Sequence, residues 1–479
     1  MGPRMMNIDG DLGRHITIGE TILDQLAIPT MDLFSHSMYG EPLTPHEWLA
    51  QVIFALAHRW MGLDGVVFLT ALVLAAAFYV VLRLVMIQDG GLPLLSLAVT
   101  ILAAAASSLH WLTRPHIFTI LFCAIWLYHL EAVRTCRSNK WWIFPVLMLV
   151  WVNLHGAFIA GFVITGVVLA GEMWELWIEQ KDQNPDHRRR VIGLISLGAI
   201  SSFFVTFINP AGIKLWSTSL GYIRNQYLVS HTAEYLPPNF HDSSTFPFLL
   251  MIVLLIVLIG YSRRKLPVAW LGLVGAWTGM GLYSVRNIPL FAVSAAPALA
   301  FLGAGILQEI AIFQAFRKVE FRLIETEKSL RGSLWPILVV IITGLLLNNQ
   351  YFTSPDQSIN RFDPEVFPVE AVDWLESHPV EGNVFNYFPW GGYLLYREWP
   401  GMRVFIDGQT DFYGEELTRE YEEVITLGQD WQAVLGKYDV QWVIMPNESL
   451  LAEKLELLND DWQLAYQDST ADIFVRRLP

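Results

Sequence analysis

Asp9-Gly-Asp11 is the first arrangement along the chain that could do chemistry, two carboxylates one residue apart. Such a pair can hold a divalent cation, or offer one carboxylate as a base while the other stays hydrogen-bonded. Asp and Gly are also the commonest turn residues, so spacing alone does not separate a site from a solvated turn. More polar side chains follow: His15, Glu20, His46, Glu47, Arg114, His116, Asn153, His155, Asn209, Glu234, Arg286 and Asn287. Singly, an Arg or His at the end of an apolar segment is most often an interfacial group. Asn153 and His155 interrupt the long apolar run 141–178, where they must line a cavity or bond a neighbouring helix because hydrocarbon offers no partner. Asp407-Gly408 directly follows a β-like run, the strand end at which open α/β sheets hold ligands, although the same dipeptide also makes turns. No G-x-G-x-x-G, Walker, H-E-x-x-H, paired C-x-x-C or G-x-S-x-G pattern is present, so nucleotide, zinc and serine-hydrolase chemistry are not indicated.

The segments that must position these residues are apolar. Of 479 residues, 53% are hydrophobic and only 16% charged, with a mean hydropathy of +0.40. Soluble domains carry about a quarter charged residues. Much of this surface therefore faces lipid, which excludes a water-soluble enzyme. Ten runs are long enough to cross a bilayer as helix: 64–84, 92–109, 116–134, 141–154, 157–178, 191–208, 246–262, 267–285, 288–313 and 334–350. The loops 83–91, 134–140, 179–190, 263–266 and 314–333 hold 16 Lys and Arg, whereas 110–115, 209–245 and 284–287 hold 4. The positive-inside rule makes the first set cytoplasmic and places residues 1–63 and everything after Tyr351 outside. An outer N-terminal segment without a signal sequence predicts a further span before it, eleven in all. Residues 46–62 are apolar on one face but carry His58 and Arg59, which predicts an interfacial helix. Most of the polar groups above then fall on the outer face. The predicted organisation is an outer segment 1–63 with the acidic motif, a membrane domain 64–350 and an extracytoplasmic domain 351–479.

From Tyr351 onward 24 acidic residues face 8 basic ones, so the acidity of the whole chain, net −14, belongs to the tail. No basic stripe exists to suggest a nucleic-acid partner. Neither Cys123 nor Cys136 indicates a disulfide framework. In the tail a helical pattern around Val369, Val372 and Trp374 precedes β-like runs at 383–388, 403–407, 441–445 and 472–476, with helical stretches at 414–427 and 449–458 between them. Alternating strands and helices predict a small α/β domain.

Several blocks, in order, carry a resemblance: DGDLGRHITIGETIL (9–23), IPTMDLFSHSMYGEPLTPHEWLAQ (28–51), TRPHIFT (113–119), WVNLHGAF (151–158), NPAG (209–212), RNIPLFA (286–292), NVFNYFPWGGYLLY (383–396) and VFIDGQTDFYG (404–414). Together they resemble a family of bacterial multi-spanning membrane proteins of the GT-C glycosyltransferase superfamily. The resemblance implies a polytopic α-helical membrane protein in the inner (plasma) membrane with a small C-terminal extracytoplasmic α/β domain. It further implies transfer of a sugar from a polyprenyl-phosphate carrier in the outer leaflet to an acceptor hydroxyl or amide, usually with inversion. Asp9 and Asp11 would be catalytic base or ligands of a divalent cation (Mg or Mn), and Arg114, His116, His155 or Arg286 would stabilise the departing phosphate. His15, Glu47, Asn153 and Asp407 join these as substrate-binding candidates. The tail departs from the family pattern by Asp-Gly-Gln (407–409) in place of Asp-Gly-Arg, which weakens the expectation of an anion there. Two other readings fit a one-sided polar cluster less closely: an inactive scaffold subunit of a membrane complex, and a lipid or solute translocase, which would spread charges through several spans.

Overall fold

The computed structural model describes residues 2–88, 90–178, 185–307, 311–330, 333, 337, 341 and 360–477. The predicted span 334–350 lies outside these residues apart from Ile337 and Ile341. Short helix α1 (Gly2–Asn7) leads into α2 (Asp11–Gln25), so Asp9 stands in the joint and Asp11 opens α2. The chain continues through α3 (Trp48–Gln88), α4 (Pro93–Ser107), α5 (His116–Arg134), α6 (Ile143–Leu154), α7 (Ile159–Ile178) and α8 (Pro185–Val205). Next come two short helices, α9 (Lys214–Arg224) and α10 (Gln226–His231), and then α11 (Phe246–Tyr261), α12 (Val268–Tyr283), α13 (Ile288–Leu307) and α14 (Ala311–Ser329). Among the described residues, 6 helical segments are long and apolar enough to cross a bilayer, and α6 and α12 are shorter apolar helices. This is a multi-pass membrane protein.

The ends of the helices sort as the loop charges predict. At one end a chain of ion pairs runs from Glu131 to Arg134 (2.7 Å), Glu172 (3.4 Å), Arg188 (3.1 Å) and Glu175. Glu175 also accepts the Val268 amide at 2.8 Å. The ends of α5 and α7 and the starts of α8 and α12 therefore share one face, the one bordered by the Lys- and Arg-rich loops. The opposite face carries α1, α2, the loop before α5 and the segment 209–245.

The predicted interfacial helix is the first part of α3. It is interrupted at Met61 and Gly62, where Gly62 adopts φ 60° and ψ −149°, a region that side chains with a Cβ avoid. Before the break, Ala50, Gln51, Phe54 and Ala55 are buried, and the helix packs along α2. The two polar residues that made this segment unlike a span have protein partners: His58 meets the Tyr396 hydroxyl at 3.0 Å, and Arg59 pairs with Glu20 and Asp24.

The C-terminal sheet has order β1-β2-β4-β3, from β1 (Asn383–Asn386), β2 (Val440–Pro446), β3 (Trp462–Gln467) and β4 (Ala471–Arg476). β1 and β2 are parallel, and the other neighbours are antiparallel. Three of the four β-like runs form strands here. The run 403–407 does not join the sheet: its Val404 amide donates to Phe34 O at 3.1 Å and its Val404 carbonyl accepts from the His36 amide at 3.0 Å. Its apolar residues Val404, Phe405 and Ile406 are fully buried, but its backbone partners come from the loop after α2, a long-range pairing that local pattern cannot show. β3 escaped the sequence reading because its residues alternate weakly and only Trp462 among them is buried.

What fastens this lobe to the membrane part is a backbone-to-backbone approach. A Cβ on Gly13 of α2 would lie 2.2 Å from the Gly392 carbonyl oxygen, and one on Gly392 would lie 2.1 Å from the Gly10 carbonyl oxygen. Only hydrogen fits at either place. Around this contact one hydrophobic core runs without interruption from Phe54 of the first part of α3 and the span residue Phe118 to Phe362, Phe367, Tyr393 and Leu394 of the tail. Because overpacking by a methyl group costs about 1–3 kcal/mol, Gly13→Ala is expected to lower the apparent Tm of the detergent-solubilised protein, whereas Gly166→Ala, which meets nothing within 4 Å, is expected to leave it unchanged. Equal melting of the two variants would rule out the tight approach.

Candidate active site at the foot of the C-terminal lobe

The site is built around Arg114, the residue before the proline that leads into α5. The loop carrying it is held to α1, since both the amide and the hydroxyl of Thr113 donate to Met5 O, at 3.1 and 3.2 Å. From this fixed base the guanidinium reaches three carboxylates: Nη1 lies 3.1 Å from Asp9 Oδ2 and also meets Glu234, while Nη2 lies 2.6 Å from Asp11 Oδ2. Glu234, in the segment 209–245, also pairs with Arg286 at 3.7 Å. Arg286 in turn donates to the Tyr235 hydroxyl at 2.9 Å and stands 3.4 Å from His155 Nε2. His155 completes the series: its Nε2 is 3.6 Å from Glu47 Oε1, and its Nδ1 is 2.8 Å from the Thr119 hydroxyl. Residues from six separate stretches thus form one continuous polar seam.

The tail closes the seam from above. Gly408 is required because Asp11 Oδ1 would lie 1.6 Å from any Cβ there. Next to it Asp407 faces Arg14 Nε at 3.6 Å, and Arg14 Nη1 donates to Gln409 Oε1 at 2.9 Å. The Gln that departs from the family pattern is therefore a hydrogen-bond acceptor for a buried guanidinium, a role that an arginine at this position could not fill. His46 lies 3.8 Å from Glu47 and 3.7 Å from Asp411, so the helix Thr410–Ile425 is tied to the start of α3. His15 Nδ1, 3.9 Å from Glu47, and Arg14 Nε are buried without a hydrogen-bond partner.

Of the residues singled out in the sequence, Asp9, Asp11, Arg114, His155, Arg286 and Glu47 lie along the seam, with His15 and Asp407 on its flanks. Two others have different surroundings. Asn153 accepts from Trp48 Nε1 at 2.7 Å and donates to the Leu149 and Ile208 carbonyls at 2.8 and 3.0 Å, and Asn209 donates to it at 3.2 Å. It ties α3, α6 and the turn after α8 together, the helix-bonding alternative for this residue. His116 turns its Nε2 to the His110 carbonyl at 2.7 Å and packs against the His110 ring, 4.3 Å between centroids. The sequence reading passed over Arg14, Thr119 and Tyr235. Arg14 had a signal, since an Arg three residues after Asp11 shares its helix face. Thr119 and Tyr235 had none.

Electrostatics divides the acids. Withdrawal from water, opposed by Arg114 and reinforced by the Asp11 charge, raises Asp9 to about 6. Burial, opposed by Arg14, also raises Asp407 to about 6. Burial acts on Glu234 in the same sense, but Arg114 and Arg286 outweigh it and hold its carboxyl well below the usual range. Burial and the nearby Arg14 and Arg114 push His15 well down, so it stays neutral at pH 7. For a divalent cation the fit is poor, because Arg114 occupies the space between Asp9 and Asp11. Among the described residues no group of three or more His, Cys, Asp or Glu side chains converges to hold a metal ion.

Comparison with solved structures identifies the class of fold. The archaeal oligosaccharyltransferase AglB from Archaeoglobus fulgidus, in complex with an inhibitory peptide and a dolichol-phosphate, matches with a TM-score of 0.60 and 13% identity over 92% of this chain and 66% of that one. The same oligosaccharyltransferase tethered to an acceptor peptide matches with a TM-score of 0.57 and 14% identity, over 98% and 70% of the two chains. ArnT from Cupriavidus metallidurans bound to undecaprenyl phosphate gives 0.50 and 13%, over 99% and 95%. The chain spans just under two thirds of the length of the first of these. No family model and no curated protein sequence matches it. The protein shares the fold of these solved structures and is built as a multi-spanning helical membrane domain with a small C-terminal α/β lobe.

A carboxyl raised from 3.8 to about 6 binds its proton more tightly in the folded chain than in the unfolded one. Its contribution to stability is therefore complete below the unfolded value and lost as pH rises through about 6. An infrared pH titration should show protonated-carboxyl absorption disappearing through that range, reduced by one group each in Asp9→Asn and Asp407→Asn. A spectrum with no such change between about pH 5 and 7 would contradict the assignment.

Proposed function

We propose that this protein is a membrane glycosyltransferase that moves a sugar from a polyprenyl-phosphate carrier to an acceptor at the outer face of the membrane. The observation that carries the proposal is the convergence of an acid pair and two guanidiniums in one seam beneath the C-terminal lobe, on the face away from the Lys- and Arg-rich loops. The fold supports it: the similar structures hold dolichol-phosphate or undecaprenyl phosphate.

Asp9 is the acid best suited to be the base. Its carboxyl at about 6 is ionised at neutral pH yet remains a usable proton acceptor. Asp11, bound to Arg114 and wedged against Gly408, orients that guanidinium. In the reaction the acceptor hydroxyl or amide attacks the anomeric carbon while its proton passes to Asp9. The bond from that carbon to the carrier's phosphate oxygen breaks, and the released phosphate keeps the electron pair. Arg286, with His155 beside it, meets the developing charge on that oxygen, which a planar guanidinium is shaped to pair. Inversion follows from attack opposite the phosphate. The core between the two charged ends is filled by fully buried Trp126, Trp151, Phe144 and Met148, which favours transfer at one face over passage of a polar solute.

The test uses the full chain in nanodiscs with a radiolabelled polyprenyl-phosphate sugar and a membrane extract as the source of acceptor. One lost charge contact is worth about 3 kcal/mol, or a hundredfold in rate, so Asp9→Asn and Arg286→Ala should each reduce transfer by that order. Undiminished transfer by Asp9→Asn would remove the base assignment. A wild-type chain that binds such donors without turning them over would instead be the scaffold subunit.

A further inference from the structure

Asp9, Asp11 and Glu234 all reach one guanidinium, and that guanidinium is fixed in advance. Arg114 leaves the chain at the residue before Pro115, on a loop whose preceding residue is bonded twice to Met5 O. Its two terminal nitrogens divide the acids between them, Nη1 to Asp9 at 3.1 Å and to Glu234, and Nη2 to Asp11 at 2.6 Å. Three carboxylates around one cation are in kind the donors that Mg2+ or Mn2+ takes, at oxygen distances of about 2.1 Å, but here they are spaced around a guanidinium and, among the described residues, do not converge on one point. A divalent ion could enter only if Arg114 left, which would strand its charge in a site only 22% exposed and give up three ion pairs.

We infer that Arg114 is the resident cation of the acid cluster, taking the place of a divalent metal, so that the chain works on its substrate without one. The inference deepens the transferase reading and depends on it for its chemical consequence. In that reading Arg114 is a positioning residue: it holds Asp9 at the acceptor's proton and keeps Asp11 and Glu234 from repelling the donor's phosphate. A guanidinium does this with fixed planar geometry and no exchange with the medium. Glu234 links the arrangement to Arg286 at 3.7 Å, so one acid sets the spacing of the two cations.

The first test is Mn2+ uptake by the purified full chain, followed by the electron paramagnetic resonance signal of the free ion, which needs no substrate. Wild-type protein is expected to take up none stoichiometrically. Arg114→Met, which keeps most of the side chain's length without its charge, is expected to bind one Mn2+ that Arg114→Met with Asp11→Asn loses. Stoichiometric uptake by the wild type, abolished by Asp9→Asn or Asp11→Asn, would overturn the inference, as would a folded Arg114→Met that binds nothing. Should Arg114→Met not fold, the wild-type titration decides alone. The second test is transfer itself. It should be unchanged by exhaustive EDTA treatment and about a hundredfold slower in Arg114→Met, and abolition by EDTA with recovery on added Mn2+ would overturn the inference while leaving the transferase reading intact. Failure to turn over any lipid-linked sugar would count against that reading and leave the Mn2+ result standing.

Discussion

The pairing of Arg114 with Asp9, Asp11 and Glu234 is the constraint on which the rest of this face depends. Charges partly withdrawn from water are costly unless each meets its opposite, and the three acids come from the α1–α2 joint, the start of α2 and the segment 209–245. Satisfying one guanidinium therefore fixes three chain segments relative to α5. The second guanidinium, Arg286 in the turn just before α13, is brought into line through Glu234, and His155 between α6 and α7 through Arg286. A charged seam that could have been a collection of surface pairs becomes a frame.

The glycines make that frame possible. Gly13 and Gly392 let α2 and the helix Gly391–Glu398 touch along their backbones, and Gly408 lets the Asp11 carboxylate lie against the tail. Without these approaches Asp407, Gln409 and Asp411 would stand too far out to meet Arg14 and His46. The C-terminal lobe is thus part of the site. Its acidic surface faces water, while its contact edge supplies the acids and amide that neutralise buried cations of the N-terminal segment.

Within the seam the environment gives like residues unlike tasks. Asp9 and Glu234 share Arg114, yet Asp9 has Asp11 as a close acidic neighbour and one cation, whereas Glu234 has two guanidiniums. The first is left able to exchange a proton and the second is held ionised. Arg14 shows the same logic among the bases: buried in the first turn of α2, it is matched by Asp407 and Gln409, and the family pattern's arginine at position 409 would place two cations together.

The sequence alone determined the quantities that are sums or periods. Apolar run lengths and the bias of Lys and Arg between loops set the multi-spanning architecture and grouped the helix ends by face, because lipid and charge act on every residue of a segment regardless of its partners. The tail's α/β character followed likewise from local pattern, and the ordered blocks pointed to GT-C. Only the tertiary structure decided what each polar group is for. Asn153 and His155 are two residues apart and equally anomalous in an apolar run, yet one bonds Trp48 and Asn209 and the other stands beside Arg286. The β-like run 403–407 pairs with the loop after α2 instead of the sheet. Thr119 and Tyr235 belong to the seam though nothing in their spacing demanded it. Such roles depend on contacts between residues far apart in the chain, and distance along a sequence carries no information about which buried charge will meet which.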